Sequence, residues 1–351
     1  MAIVKIQGEA GVLGKYYYEV DLANQPIGVG GMGQVFKGVR VSEDTGIRKD
    51  VAIKFLYEDL PSTAIERAQR EASIRIQHEN LVEMYEFVKI VEQTPHGKVA
   101  RAHVVSELLD GVMLYDIIHN RIIKNSHNIV VPLAEKLLNL FDNDRVEFAI
   151  YVTKNLLSGV MALHDNHYIH RDLDPSNVMV TSDNKIKIID FGIAKRQDVL
   201  STADRPMTMP GQIVCKPAYA APEQVLGDVK SQNKTTDLYA IGIMLYEFVT
   251  GHLPFDGSVS DVIKKQQFSK LPMKEVKNKY LKKIIEKATS KKSEERFQSA
   301  AEFRVALERI DTKKQTQTSA TTGDADMKNV FIWGGVAIAG LAVGCILALL
   351  I

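Results

Sequence analysis

The chain has 351 residues, with 44 Lys+Arg against 43 Asp+Glu for a formal net charge of +1, 45% hydrophobic residues and a mean hydropathy of −0.09. This balance excludes a disordered chain, which is poorer in apolar residues, and a polytopic membrane protein, whose mean hydropathy lies well above zero. The near-zero charge gives no global reason to expect nucleic acid as a partner, and two cysteines 130 residues apart, Cys215 and Cys345, exclude a disulfide framework or a four-thiolate zinc site and fit a reducing compartment. The length suggests about two compact units.

Residues 1–15 form an N-terminal extension with no long apolar stretch and no small-residue cleavage site, so no signal peptide is expected. From residue 16 to about 105, short β-prone runs (Val35-Phe36, Val51-Ala52-Ile53, Val104-Val105) are separated by turn residues. The stretch Ile27, Gly28, Val29, Gly30, Gly31, Met32, Gly33, Gln34, Val35 holds a G-x-G-x-x-G pattern at Gly28, Gly30 and Gly33. Glycines let a backbone close over phosphates and offer its N–H groups to them. A plain hairpin turn is the other reading of the glycines alone. A dinucleotide site needs a helix straight after the glycines and an acidic residue about 20 positions on; here Gln34 to Val39 continues as a strand. Val51-Ala52-Ile53-Lys54 then sets a lysine at the end of a short strand, 21 residues past Gly33. A helix is expected over 63–76. Within it Thr63-Ala64-Ile65-Glu66 has the form of a capping box, which gives Glu66 a structural task. Glu71, about 140° further round the helix, is therefore the carboxylate assigned to orient Lys54.

Longer helical patterns dominate from about residue 114, notably 145–164, 237–250 and 297–309; the segment 120–145 ahead of them carries no recognisable function. Inside this half lies His170-Arg171-Asp172-Leu173-Asp174-Pro175-Ser176-Asn177, with Asp190-Phe191-Gly192 beginning 13 residues after Asn177 and Ala221-Pro222-Glu223 closing the segment that follows. Phosphoryl transfer needs a carboxylate to orient the attacking hydroxyl and accept its proton, and oxygen ligands for Mg²⁺. Asp172, Asn177 and Asp190 supply those chemistries at the spacing of the kinase motifs.

With all these motifs in order, residues 16–309 resemble the eukaryotic-type protein kinases. The Gly30–Gly33 run and A-Y-A-A-P-E-Q at Ala218 to Gln224 look most like the bacterial serine/threonine branch, which often joins a cytoplasmic kinase to one membrane span. The resemblance implies an α+β, two-lobed kinase fold with a β-rich N-lobe over about 16–105 and a helical C-lobe over about 110–309. It implies that ATP and Mg²⁺ bind between the lobes, contacted by the glycine loop, Ala52, Lys54, Glu71, and Glu107 and Leu109 of the hinge. Lys54 would hold the α- and β-phosphates, and Asn177 and Asp190 would hold the metal. Asp172 would orient a Ser or Thr hydroxyl of a protein substrate or of the kinase itself, with Tyr the less favoured acceptor. Ser106 falls at the gatekeeper position, where its small side chain would leave a pocket behind the adenine. Asp237, in the D-x-x-x-x-G ending at Gly242, would brace the catalytic loop, and Glu223 would pair with Arg296. Arg171 marks kinases whose activation segment is ordered by phosphorylation, for which Thr208, Ser201 and Thr202 are available.

Two positions depart from the family. Asp174 stands where serine/threonine kinases carry a lysine near the γ-phosphate, and Lys216 stands where they carry a threonine. Replacing a cation by an anion shifts the local charge by two units, each worth roughly 3 kcal/mol at about 6 Å and an effective dielectric near 20. The two positions are neighbours in family structures, so Lys216 is expected to pair with Asp174 and supply the missing ammonium. The competing reading is a catalytically impaired pseudokinase that acts as a nucleotide-binding scaffold. Cys215, beside Lys216, reads either as a thiol activated by the neighbouring cation or as a tolerated small side chain.

Towards the C-terminus, Lys264 to Arg296 carries 12 Lys+Arg against 4 Asp+Glu, which reads as a solvated helical face or as a surface for anionic lipid headgroups. Residues 310–330 are polar and lack apolar periodicity, as in a flexible linker. The last 21 residues, Phe331 to Ile351, contain no charged side chain, and as a helix they span about 30 Å, a bilayer core. A single transmembrane helix with Trp333 near its start is expected, with the kinase on the cytoplasmic side of the cell membrane. Gly340 and Gly344 form a G-x-x-x-G pair, which suits either a homodimer or chance in a small-residue segment. With nothing after Ile351, signals are expected from the cytoplasm, the bilayer or a membrane partner.

Overall fold

The computed structural model describes residues 3–7, 16–94, 97–190, 195–196 and 216–310. The linker and apolar segment, Phe191, Gly192, Ser201, Thr202, Thr208 and Cys215 lie outside the described residues.

Strand alternation builds the N-lobe. Strands β1 (Ile3–Ile6), β2 (Tyr16–Asp21), β3 (Gly28–Gly30), β4 (Gly33–Ser42), β5 (Arg48–Leu56), β6 (Met84–Thr94) and β7 (Gly97–Glu107) form one antiparallel sheet. Its order is β1-β2-β4-β5-β7-β6, with β3 paired to β4. The N-terminal extension thus contributes a strand. Because successive side chains point to opposite faces, Phe36, Val51, Ile53 and Val105 fall on one face and join Tyr18, Val20, Tyr85 and Val88 in a buried core. The opposite face is left for Val35, Ala52, Lys54, Val104 and Ser106, which the register sets side by side: Val35 opposite Lys54, Lys54 opposite Val104, and Ala52 opposite Ser106.

Helix α1 (Ser62–Ala72) begins one residue before Thr63, with Pro61 as its N-cap and no side-chain cap bond. The expected capping box is therefore absent, because Thr63 already lies within the helix. Glu66 instead pairs with Arg70 at 3.8 Å. The helix stops short of residue 76 because the Ser73 hydroxyl donates to the Arg70 carbonyl at 2.6 Å, competing for the last-turn backbone.

In the C-lobe, β8 (Gly111–Met113) is followed by α2 (Pro132–Asn143), α3 (Arg145–Asp165), β9 (Tyr168–Ile169), β10 (Val178–Thr181), β11 (Ile186–Ile188) and β12 (Lys195–Arg196). Then come α4 (Pro222–Val225), α5 (Lys234–Thr250), α6 (Val259–Phe268), α7 (Lys279–Ala288) and helical residues 300–310. Helix α3 is long and apolar enough to cross a membrane by length and composition. Its Phe148, Val152, Leu157, Val160 and Leu163 are nevertheless fully buried in the C-lobe core, where α3 packs on α5. The segment 120–145 folds as a turn closed by the Asn125 side chain, which accepts from the N–H groups of His127 and Ile129, followed by α2 with Pro132 at its first turn. Helix α5 starts on the Asn233 side chain and ends at Gly251, whose φ of 88° favours glycine.

Met1–Phe303 packs as one compact unit that contains both lobes, and Arg304–Ile351 as a second. The two units suggested by length are therefore not the two lobes. The lobes merge because Leu81 bridges Ile188 and because Lys187 of β11 reaches the hinge. In the second unit, Arg304 pairs with Glu308 at 3.1 Å.

Candidate active site

The glycine loop is the hairpin between β3 and β4, with Gly30 opposite Gly33 and Gly31-Met32 at the turn. Gly33 has a steric reason to lack a side chain: a Cβ there would lie 2.0 Å from the Phe55 carbonyl oxygen. At Gly30 and Gly31 nothing lies within 4 Å of a Cβ position, so the backbone of the turn is open to an approaching phosphate. Ile27 and Val29 are exposed beside it. Lys54 stands on the same sheet face, opposite Val35, one strand from this hairpin. Glu71 is buried in the last turn of α1. No ion pair within 4 Å joins it to Lys54 among the described residues.

The hinge is held by Glu107 itself together with Glu83 and Lys187. Glu107 N–H donates to the Glu83 carbonyl at 2.8 Å, and its carboxylate accepts from Lys187 Nζ at 2.8 Å and from the Glu83 N–H at 3.2 Å. Lys187 is buried and also donates to the Leu81 carbonyl at 3.0 Å, so hinge and β11 are pinned together. Ser106 lies at the end of the sheet face beside Ala52.

Asp237 organises the catalytic loop. Its carboxylate accepts from the N–H groups of His170 (2.9 Å) and Arg171 (2.8 Å) and contacts His164 Nε2 at 2.8 Å. Burial alone would raise the Asp237 carboxyl, but the hydrogen bond and charge of His164, the charge of His170 and the Arg171 N–H hold it below the usual carboxylate value. Arg171 adopts φ 71°, turning the chain so that Asp172 emerges. Asn177 Nδ2 donates to the Asp172 carbonyl at 2.7 Å, which leaves Oδ1 as the atom able to face a cation. Strands β10 and β11 pair antiparallel, with Ile189 N–H on the Asn177 carbonyl at 3.0 Å, and this sets Asn177 beside Asp190. These are hard oxygen donors of the kind Mg²⁺ takes together with phosphate and water. Among the described residues no three His, Cys, Asp or Glu side chains converge as a protein-only cage. Burial, followed by the charges of Asp174 and Asp190, pushes the Asp172 carboxyl up to about 6, against the opposing pull of Lys216.

The pair formed by the two atypical residues is present. Lys216 Nζ donates to Asp174 Oδ1 at 2.8 Å and also to Ser176 Oγ. Asp174 is 1% exposed and its Oδ1 additionally caps the following turn by accepting from Ser176 N–H at 2.7 Å. The Lys216 side chain is 51% exposed. Glu223 and Arg296 also meet, in a two-pronged pair at 2.8 and 2.9 Å with Arg296 fully buried. Gln224 ties this end of the segment to the catalytic loop by donating to the Arg171 carbonyl at 2.7 Å. Some charges of the 264–296 stretch have partners within the chain: Lys265 pairs with Asp256 and Lys287 with Glu302 at the surface, and Lys291 donates to the buried Tyr239.

Residues 22–307 match the protein kinase domain family. The chain is 30% identical over 310 residues to the serine/threonine-protein kinase PknB of Mycobacterium tuberculosis, covering 86% of this chain and 44% of that protein. It is 32% identical over 295 residues to the serine/threonine-protein kinase Pkn1 of Myxococcus xanthus, covering 80% and 37%. A probable serine/threonine-protein kinase PknB of Lactococcus lactis is 30% identical over 301 residues, covering 83% and 42%. The chain therefore belongs to the eukaryotic-type protein kinase family, close to its bacterial serine/threonine branch. It spans less than half the length of these relatives.

Of the supporting residues, Lys187, Ser176 and Gln224 are not legible as site residues from sequence. Lys187 sits three residues before Asp190, a spacing that is available as a signal.

Proposed function

We propose that the chain is a serine/threonine protein kinase that transfers the γ-phosphate of ATP to a protein hydroxyl, including its own. The observation that carries this reading is the convergence of Asp172, Asn177 and Asp190 on one loop and one strand pair, in a chain of this family. Bound ATP with Mg²⁺ would supply the transferable phosphoryl group and neutralise its charge. Asp172 orients the acceptor hydroxyl and takes its proton. Asn177 and Asp190 hold the metal, Lys54 with Glu71 holds the α- and β-phosphates, and the backbone of Gly28 to Gly33 covers them. Glu107 and Leu109 receive the adenine through their main chain. Lys216 contributes the cation that the family normally carries at the position of Asp174. Its exposed ammonium is free to lean from Asp174 towards a γ-phosphate. Phosphorylation of Ser201, Thr202 or Thr208 would act on Arg171, and the apolar run 331–351 would anchor the kinase to a bilayer.

The test is phosphate incorporation by the full-length chain with Mg-ATP beside Asp172→Asn. Incorporation that the substitution abolishes is expected, and equal incorporation by both defeats the proposal. The bond from Lys216 to Asp174 also suits a second reading, a nucleotide-binding scaffold whose cation is neutralised. Mg-ATP binding without transfer would select that reading.

A further inference from the structure

The turn that carries Lys216 into the site is gripped by one buried side chain. The Tyr219 N–H bonds to the Lys216 carbonyl at 3.1 Å, closing a four-residue turn with Pro217 and Ala218 at its centre. Gln266 of α6 is fully buried, and its Nε2 donates to the carbonyl oxygens of exactly those two central residues, at 3.2 Å to Pro217 and 2.6 Å to Ala218.

The partners of Gln266 fix which end of its amide faces the turn. Lys291 Nζ donates to the Tyr239 hydroxyl at 2.8 Å, and an ammonium has nothing but donors. The single tyrosine proton therefore goes to Gln266 Oε1, at 2.6 Å. With Oε1 so engaged, both N–H groups point at the two carbonyls, and every bond from Lys291 to the turn runs one way. Tyr239 is itself fully buried on α5, so the chain is anchored in the rigid centre of the lobe. On the far side of the turn, Tyr219 Oη donates to the buried Glu247 at 2.8 Å.

We infer that Gln266 is a positioning residue for phosphoryl transfer: by gripping the Lys216–Tyr219 turn, it keeps the Lys216 ammonium on Asp174 and Ser176 beside Asp172. This deepens, and rests on, the reading that Lys216 supplies the catalytic cation. Rotation of the Pro217 and Ala218 peptides is the motion that would swing Lys216 away, and those are the two peptides the amide holds.

The experiment uses the full-length chain and two readouts. Gln266→Glu keeps the shape but turns an acceptor toward two carbonyls; Tyr239→Phe keeps the core ring and removes only the hydroxyl that orients the amide. The first readout is the acylation rate of Lys216 by an amine-reactive ester, followed by peptide mass spectrometry with Asp174→Asn as the reference for a released lysine. Gln266→Glu is expected to raise the rate several-fold towards that reference, and Tyr239→Phe to raise it less. The second readout is kinetic: kcat about tenfold lower for Gln266→Glu, KM for ATP within twofold, and no further loss when Lys216→Ala is already present. Wild-type labelling of Lys216 in both variants, or an equal fall in kcat with and without Lys216, overturns the inference and leaves Gln266 a packing residue. Unchanged kcat in Lys216→Ala alone instead sinks the cation reading, and labelling then decides the question of Gln266. If Gln266→Glu does not fold, Tyr239→Phe carries the labelling test.

Discussion

Two ion pairs flank the activation segment's final stretch, and they are built differently. Glu223 and Arg296 meet through two parallel bonds, with the guanidinium fully buried and further bonded to the carbonyls of Ser290 and Lys291. Asp174 and Lys216 meet through one bond, with the carboxylate buried but the lysine side chain 51% exposed. A pair sealed at both ends has no state available other than closed, because either charge alone would be buried without a partner. In the second pair the lysine can swing into water, and the cost of opening falls on the buried Asp174 carboxylate, which keeps only the Ser176 N–H among the described residues. The first is suited to holding the fold and the second to meeting a ligand.

The largest expected effect tests the sealed pair. Arg296→Met should cost about 3–5 kcal/mol of stability, since it leaves the buried Glu223 carboxylate without its counter-charge and with only the Thr236 hydroxyl as donor among the described residues. Urea unfolding measures this, and a loss below about 1 kcal/mol would erase the distinction between the pairs. Lys216→Ala should cost less stability than Arg296→Met, about 1–3 kcal/mol, because the buried Asp174 loses its counter-charge but keeps the Ser176 N–H, while kcat falls about 100-fold, as expected for one unit charge near the γ-phosphate. Exchanging the charges as Asp174→Lys with Lys216→Thr sharpens the same point. A large gain in phosphotransfer over the wild type would show that the pair is degraded rather than compensating.

A third test is pH. Burial and two neighbouring carboxylates raise Asp172 to about 6 in the unliganded chain, so, with Asp172 as the proposed base, kcat/KM should fall as pH drops through 6 and the carboxylate takes up a proton. The raised value also means that the ionised carboxylate destabilises the fold above that pH. Asp172→Asn should therefore be more stable than the wild type at pH 7, by up to about 3 kcal/mol. The advantage should shrink as pH falls from 6 towards 4, where the wild-type carboxyl is neutral in the fold. A constant difference across that range in thermal unfolding would contradict the assignment. The smallest effect belongs to a surface pair. Glu66→Ala should cost below about 0.5 kcal/mol, the scale of an exposed i,i+4 pair, whereas a cap would cost about 1 kcal/mol.

Much of the site was legible because its chemistry is local in sequence. The spacing from His170 to Asn177 and on to Asp190 sits on one loop and one hairpin, so short-range order carried it. The strand around Lys54 is legible for a similar reason, since alternation of Val51, Ile53 and Ala52, Lys54 is a period-two pattern. The capping box expected at Thr63 does not form because a Ser/Thr-x-x-Glu spacing does not say which residue begins the helix, and the helix starts at Ser62 with Pro61, two residues before Thr63, as its N-cap. Helix α3 shows the limit of hydropathy, as a run apolar enough for a bilayer is buried in protein instead.

By itself the sequence determined the order of the motifs, the β-rich and helical halves, the acidic and amide side chains of the candidate site, and the charge reversal between Asp174 and Lys216, because residue type and short spacing carry that information. Tertiary structure alone decided that Lys187 of β11 holds the hinge, that the two lobes pack as one unit, and that Gln266 lies under the turn bearing Lys216. Those contacts join residues 80, 106 and about 50 positions apart, and a hydrogen bond over such separations depends on how strands and helices pack, which no local pattern encodes.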